Sequence, residues 1–102
     1  MDSMDVINNS AQNAGGGIYL YESSSELNDI NLTSNSTDGI GGGIVIHTAD
    51  PLLNNLFIID NIAATYGGGI AIRDNSNPTL TNVTITNNST AADGYGGGIY
   101  GS

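Results

Sequence analysis

Gly41-Gly42-Gly43-Ile44 is one of four copies of the same tetrapeptide in this chain of 102 residues. The copies begin at Gly15, Gly41, Gly67 and Gly96, so they recur after 26, 26 and 29 residues. Repetition at a period of about 20 to 50 residues is typical of a solenoid, in which each unit buries its apolar side only against its neighbours. The tetrapeptide therefore predicts the architecture before any other feature is considered.

A second pattern recurs with the same period. It reads aliphatic-x-x-aliphatic-x-aliphatic-x-x-Asn and spans residues 27–35, 53–61 and 80–88. A partial copy comes before these three, in Met1, Met4, Val6 and Asn9. The chain thus begins within one coil and ends, at Tyr100-Gly101-Ser102, just after another glycine triplet. We expect residues 1–102 to form a single repeat domain of about four coils, a fragment of a longer solenoid.

The apolar residues within each repeat alternate with a spacing of two, as in Ile44 and Ile46 or Leu32 and the preceding Ile30. This is strand periodicity with one face turned inward, and helical spacing is absent. A short third strand is predicted after each Asn. The fold class is therefore all-β, with three short parallel sheets whose equivalent residues stack about 4.8 Å apart.

Four inward columns follow from this alternation, and each contributes to one continuous core. Their members are Ile18, Ile44, Ile70 and Ile99; Leu20, Ile46 and Ile72; Met4, Ile30, Leu56 and Val83; Val6, Leu32, Ile58 and Ile85.

One asparagine ends the second pattern in every repeat, at Asn9, Asn35, Asn61 and Asn88. An amide both donates and accepts hydrogen bonds, so stacked asparagines at a turn can bond to one another and to the backbone. We interpret the column as a buried structural ladder. The alternative, in which four amides line a ligand groove, is less favoured because a turn alone explains the fixed spacing.

The composition restricts the partners of the chain. One Lys or Arg stands against ten Asp and Glu, for a net charge of −9, so the basic side chains that bind nucleic acid phosphates are lacking. No stretch approaches the apolar length of a membrane span, and there is no cysteine for a disulfide or a thiolate metal site. We expect no nucleic acid, no membrane insertion and no cofactor. Residues 1–5 do not read as a secretory signal.

These two patterns together resemble the right-handed parallel β-helix of the pectate-lyase-like superfamily, and most closely the repeats of polymorphic outer membrane proteins and secreted adhesins. The resemblance implies a right-handed solenoid outside the cell or at its surface. It also implies that the Gly-Gly-Gly-Ile strands form the first sheet. In the carbohydrate-active members of that superfamily, the outer face of this sheet holds the substrate.

On that outer face, alternation places Tyr21, His47 and Arg73 in one column, 26 residues apart, with Asp74 beside Arg73. Tyr and Arg side chains stack on sugars or hydrogen-bond to them, so this column is the candidate glycan site. The competing interpretation is an exposed surface stack in which Asp74 partly neutralises Arg73, a kind of pair that contributes little.

Catalysis is not favoured by the sequence. Glycoside hydrolases need two carboxylates about 5 to 10 Å apart, and Asp5, Asp29, Asp60 and Asp74 do not share a column. The Gly-Gly-x-Gly-x-Asp calcium repeat is also absent, and no metal site is predicted. The sequence therefore predicts a non-catalytic stalk or adhesive repeat that displays a binding face to polysaccharide or host glycan. The alternative is a fragment of a polysaccharide lyase or glycoside hydrolase.

The two ends of such a stack leave strand edges unpaired, and we expect the 102-residue chain to associate end to end. Sedimentation analysis over a range of concentrations tests this expectation. A monomer at every concentration would contradict it.

Overall fold

The computed structural model describes residues 2–91 and 93–101. Met1 and Ser102, which belong to the partial repeats, lie outside the described residues. The described ranges contain no helix that is long and apolar enough to cross a membrane. Within them the chain forms twelve strands: β1 (Asp2–Ile7), β2 (Ser10–Ala11), β3 (Ile18–Tyr21), β4 (Glu26–Thr33), β5 (Ser36–Thr37), β6 (Ile44–His47), β7 (Leu52–Ile59), β8 (Ile62–Ala63), β9 (Ile70–Arg73), β10 (Thr79–Thr86), β11 (Ser89–Thr90) and β12 (Ile99–Gly101).

The described strands form three parallel sheets of four strands each. The first sheet has the order β12-β9-β6-β3, the second β1-β4-β7-β10 and the third β11-β8-β5-β2. Equivalent repeat positions are paired, as shown by Ile44, which lies opposite Ile18 on one side and Ile70 on the other. The all-β solenoid of about four coils and three short parallel sheets, predicted from the sequence, is confirmed.

The core lies between the three sheets. In the two middle coils most inward side chains are fully buried, among them Ile44, Ile58 and Ile70, whereas Ile72 is partly buried. Burial of each such side chain contributes about 1.5 to 3 kcal/mol. The outer coils are covered on one side only, and there Met4 and Ile99 remain 42% and 45% exposed. This exposure is compatible with end-to-end association, which stays a prediction.

The structure contains a fifth inward column that the sequence analysis did not predict. Leu27 and Leu53 are fully buried, although they lie three residues before Ile30 and Leu56, which also point inward. In a regular strand, two residues that are three positions apart point to opposite sides. Here they point to the same side because a residue between them has a left-handed backbone. These residues are Asp29, Asn55 and Asn82, with φ of 57°, 55° and 53°. These residues take no part in the register. Each left-handed residue is a local kink, repeated at the same position in neighbouring strands, that lets the residues on both of its sides point inward.

The glycine triplets form the corner before the first sheet. The first glycine of every triplet has positive φ, between 61° and 66°. The second glycine is needed for a different reason: a Cβ on Gly42 would lie 2.6 Å from the carbonyl oxygen of Ile62 and closer still to that of Gly68. Only glycine therefore lets successive coils approach this closely.

The asparagine hydrogen bonds predicted from the sequence are present. The side-chain Nδ2 of Asn9, Asn35 and Asn61 each donates to Oδ1 of the asparagine one coil further on, over 2.9 to 3.0 Å. The same Oδ1 atoms accept the backbone N–H groups of these three residues. Asn35 and Asn61 are fully buried, so they line no groove, and the alternative interpretation of these two residues is wrong.

Candidate functional site

The first sheet brings the three predicted ligand residues into one column. Tyr21 lies opposite His47, and His47 lies opposite Arg73, at the ends of β3, β6 and β9. Their side chains point outward because Leu20 and Ile46, one position earlier, point into the core. The predicted juxtaposition is therefore a feature of the backbone register. Whether these residues bind a ligand stays a prediction.

His47 is the centre of a hydrogen-bonded cluster that crosses three coils. Its Nδ1 lies 2.8 Å from the hydroxyl oxygen of Tyr19, and its Nε2 lies 2.5 Å from Oδ2 of Asp74. Its ring packs against Tyr21 with the two centroids 4.8 Å apart and the planes inclined by 58°. The side chain of His47 is 20% exposed, whereas that of Asp74 is 57% exposed.

The partner of Asp74 differs from the sequence-based expectation. Asp74 was expected to neutralise Arg73, its neighbour in sequence, but among the described residues its ion pair is with His47. Asp74 has a left-handed backbone, with φ of 53°, which ends strand β9 and directs the carboxylate back toward the preceding coil. Arg73 instead contributes to the lining of a cleft described below.

The hydroxyl group of Tyr21 lies under the electrostatic influence of a neighbouring carboxylate, Glu22. The negative charge of Glu22 raises the pKa of Tyr21 above its ordinary value, and a side-chain hydrogen bond between the two residues raises it further. An ionised carboxylate only accepts hydrogen bonds, so the proton of this bond belongs to Tyr21. Both effects favour the neutral phenol over the phenolate.

Three further tyrosines form a second aromatic group on the same side of the solenoid. Tyr66 stacks on Tyr100, with ring centroids 4.6 Å apart, and on Tyr95, with centroids 5.7 Å apart. Tyr66 and Tyr100 also line a cleft of about 290 Å³. Its other lining residues are Asn13, Ile40 and Arg73.

The sequence analysis did not predict this group because two of its members, Tyr66 and Tyr95, lie at a corner outside the strands. Tyr66 and Tyr95 each stand immediately before a glycine triplet, at the position that Ala14 and Ile40 occupy in the earlier coils. These four residues are paired across successive coils by isolated bridges. The recurrence of Tyr at that repeat position was the signal that could have revealed them.

Between the two aromatic groups the outward surface is apolar and covered. Val45 and Ala71 point outward, opposite Tyr19 on one side and Tyr100 on the other, yet both are fully buried. We call the whole surface the tyrosine face; it comprises Tyr19, Tyr21, His47, Tyr66, Arg73, Tyr95 and Tyr100. It holds all five tyrosines of the chain, its only histidine and its only basic residue.

The chemistry available on this face favours binding. Aromatic rings, hydroxyl groups and one guanidinium can stack on a sugar and hydrogen-bond to it. In the described ranges, no group of three or more His, Cys, Asp or Glu side chains is arranged to hold a metal ion. Glu22 and Asp74 share a repeat position two coils apart, and each directly follows a residue of the face, Tyr21 or Arg73.

Comparison with known proteins gives one match. The family model described as "right handed beta helix region" matches residues 2–102. No curated protein and no solved structure matches the chain at a significant level.

Proposed function

This chain belongs to the right-handed β-helix family, and on that premise we propose that it is a non-catalytic stalk or adhesive repeat that holds its tyrosine face toward a glycan. The observation that carries the proposal is the concentration of all five tyrosines, the only histidine and the only arginine on one face. A random surface distribution would scatter these seven residues over three sheets. Tyrosine provides large contact area with few rotatable bonds, as binding surfaces require.

The finer relationship is part of the same proposal. The Gly-Gly-Gly-Ile and aliphatic-x-x-Asn motifs are similar to those of pectate-lyase-like β-helices and, among them, to the repeats of polymorphic outer membrane proteins and secreted adhesins. On this basis we place the protein outside the cell or at its surface. Polysaccharides and host-cell glycans are the partners available there.

The solenoid supports such binding by fixing the distances between contacts. Tyr19 and Tyr100 occupy the same column three coil spacings apart, or about 14 Å. The backbone beneath them is held by the parallel sheets and the asparagine ladder, so little ordering is needed when a ligand binds. Contacts that are individually weak then act together along an extended glycan.

Retention on immobilised polysaccharides tests the proposal. We expect the chain to be retarded on at least one matrix, and the Tyr66→Ala/Tyr100→Ala double variant to bind about tenfold or more weakly, since truncation of a central aromatic typically costs more than 1 kcal/mol. The Tyr21→Ala/His47→Ala/Arg73→Ala triple variant should lose binding as well. Circular dichroism and thermal unfolding verify that each variant is folded.

Phe57→Ala is the matched control, because Phe57 is an aromatic residue, 52% exposed, on the outer face of the second sheet. It should be retained like the parent chain. If the parent is retained on no matrix, or if Phe57→Ala weakens retention as much as the tyrosine variants do, the proposal is wrong and the segment is a structural spacer.

One observation keeps an enzymatic alternative under test. Glu22 and Asp74 occupy the same repeat position two coils apart, so their backbones are about 10 Å apart, a spacing from which their carboxylates could reach the separation found in inverting glycoside hydrolases. The same polysaccharides are therefore assayed for new reducing ends after incubation. Release of reducing ends that Glu22→Gln abolishes would favour a fragment of a carbohydrate-active enzyme over the adhesive repeat.

A further inference from the structure

One end of the tyrosine face is surrounded by hydrogen-bond acceptors. We call this group the acceptor cluster; it consists of Tyr19, Tyr21, Glu22, His47 and Asp74. An ionised Asp74 accepts but cannot donate, so Nε2 of His47 carries the proton of that contact. In a neutral imidazole the other nitrogen is then bare, and Nδ1 accepts the hydroxyl proton of Tyr19.

The hydroxyl proton of Tyr19 is therefore committed to His47, and the hydroxyl group of Tyr21 lies beside the carboxylate of Glu22, which raises the pKa of Tyr21. What the cluster offers a ligand is mainly lone pairs: those of the Tyr19 oxygen and of two exposed carboxylates. A sugar hydroxyl, which can donate, fits such a surface, whereas a sugar carboxylate would meet these acceptors and the negative charges of Glu22 and Asp74. The nearby cation, Arg73, lines the cleft with Tyr66 and Tyr100.

We propose that the acceptor cluster recognises an uncharged, hydroxyl-rich sugar and discriminates against carboxylated sugars, with His47 as the positioning residue that commits the proton of Tyr19. This rests on the proposed function and specifies the ligand class at one end of the same face. The net charge of −9 acts in the same direction, because it repels polyanionic glycans as a whole.

The proposal has a consequence that a merely structural histidine would not produce. When His47 takes up a second proton, both ring nitrogens donate, and Tyr19 must accept from Nδ1. The hydroxyl proton of Tyr19 then turns outward, so the same oxygen becomes a donor to the ligand. The charged and titratable groups that face His47 are Tyr19, Tyr21 and Glu22 from one neighbouring coil and Arg73 and Asp74 from the other. Acidification should therefore reduce the discrimination against carboxylates.

The first part of the test needs no glycan. Because the chain has a single histidine, its imidazole ¹⁵N signals are assigned without ambiguity. At neutral pH we expect the tautomer with the proton on Nε2, and Tyr19→Phe should shift the Nδ1 signal because the accepted hydrogen bond is lost. A proton on Nδ1, or no response to Tyr19→Phe, overturns the proposal whether or not any glycan binds.

The second part measures selectivity on two matrices, an uncharged β-glucan and polygalacturonate, at about pH 8 and about pH 5, the range in which imidazoles ordinarily change charge. At the higher pH we expect about tenfold stronger retention on the uncharged matrix, the ratio expected when one buried polar contact is left unmatched. At the lower pH the ratio should fall.

His47→Gln separates the proposed role from the titration of other carboxyl groups. Gln can hydrogen-bond to both neighbours but takes up no proton. The ratio of retention on the two matrices should therefore be the same at both pH values, once the change caused by the ligand carboxyl groups has been subtracted. Tyr19→Phe measures that change. An unaltered pH response in His47→Gln, or preferred retention of the parent on polygalacturonate at the higher pH, overturns the proposal. Absence of retention on every polysaccharide tested, these two included, would instead refute the proposed function, since the imidazole signals test the cluster independently.

Discussion

Asn61→Ala is expected to unfold the chain or to lower its stability by about 3 to 6 kcal/mol. In the folded chain, Oδ1 of Asn61 accepts both the backbone N–H and Nδ2 of Asn35, and Nδ2 of Asn61 donates to the carbonyl oxygen of Leu32. Removal of the amide leaves two or three of these groups unsatisfied in a buried place, at about 1 to 3 kcal/mol each. Total stabilities are only about 5 to 15 kcal/mol. Urea denaturation followed by circular dichroism measures the loss.

The same substitution at the end of the ladder provides the control. Asn9 is exposed and has a ladder neighbour on one side, so water can replace the amide of Asn9. Asn9→Ala should cost no more than about 1 kcal/mol. Equal losses at the two positions would show that burial does not determine the contribution of the ladder.

Gly42→Ala is the second substitution with a large expected effect, about 3 kcal/mol or more of destabilisation. The added methyl group would overlap the carbonyl oxygens of Gly68 and Ile62, which belong to the backbone of the next coil. A flexible side chain could move aside, but here the two coils must separate, and the hydrogen bonds from Gly42 and Gly43 to that coil would weaken with them. Thermal unfolding and amide hydrogen exchange of the neighbouring glycines measure the effect.

Gly97→Ala serves as the matched control for this substitution. Gly97 occupies the same place in the last triplet, but the nearest atom to an added Cβ is the carbonyl oxygen of Asn88 at 3.1 Å, and the next lies at 3.7 Å. We expect a change within about 1 kcal/mol, because Ala also restricts the unfolded chain. A large loss for Gly97→Ala would mean that the triplet requires glycine for its backbone conformation and not for the approach of the coils.

The sequence predicts the fold to the level of register because the repeats encode it twice. The spacing of Gly15, Gly41 and Gly67 sets the period, and the alternation of Ile44 and Ile46 sets the inward face. The column of Leu27 escapes such reasoning because a left-handed residue at Asp29 changes the side to which later residues point. The signal that could have revealed it is the recurrence of Asp29, Asn55 and Asn82 at one repeat position, because Asp and Asn adopt the left-handed region more readily than other non-glycine residues.

The candidate site is only partly predictable for a related reason. The column of Tyr21, His47 and Arg73 follows from the period alone. The contact between His47 and Asp74 depends on the backbone dihedral of Asp74, and the stacking of Tyr66 on Tyr100 joins a corner residue to a strand residue. Contacts of this kind require the relative placement of corner and strand, which repeat spacing does not provide.

The asparagine ladder gives the solenoid a polarity along its axis. In the ladder, one N–H of each donating amide points to Oδ1 of the asparagine in the following coil, and each amide oxygen accepts from the preceding coil, so this chain of hydrogen bonds runs in one direction from Asn9 to Asn88. The second N–H of Asn35, Asn61 and Asn88 donates to a backbone carbonyl of the preceding coil. A coil added at either end, from the same polypeptide or from a second copy, can continue the ladder only if it enters in the same orientation. Assembly through the ladder is therefore head-to-tail, and a head-to-tail contact that does not close into a ring propagates as a filament.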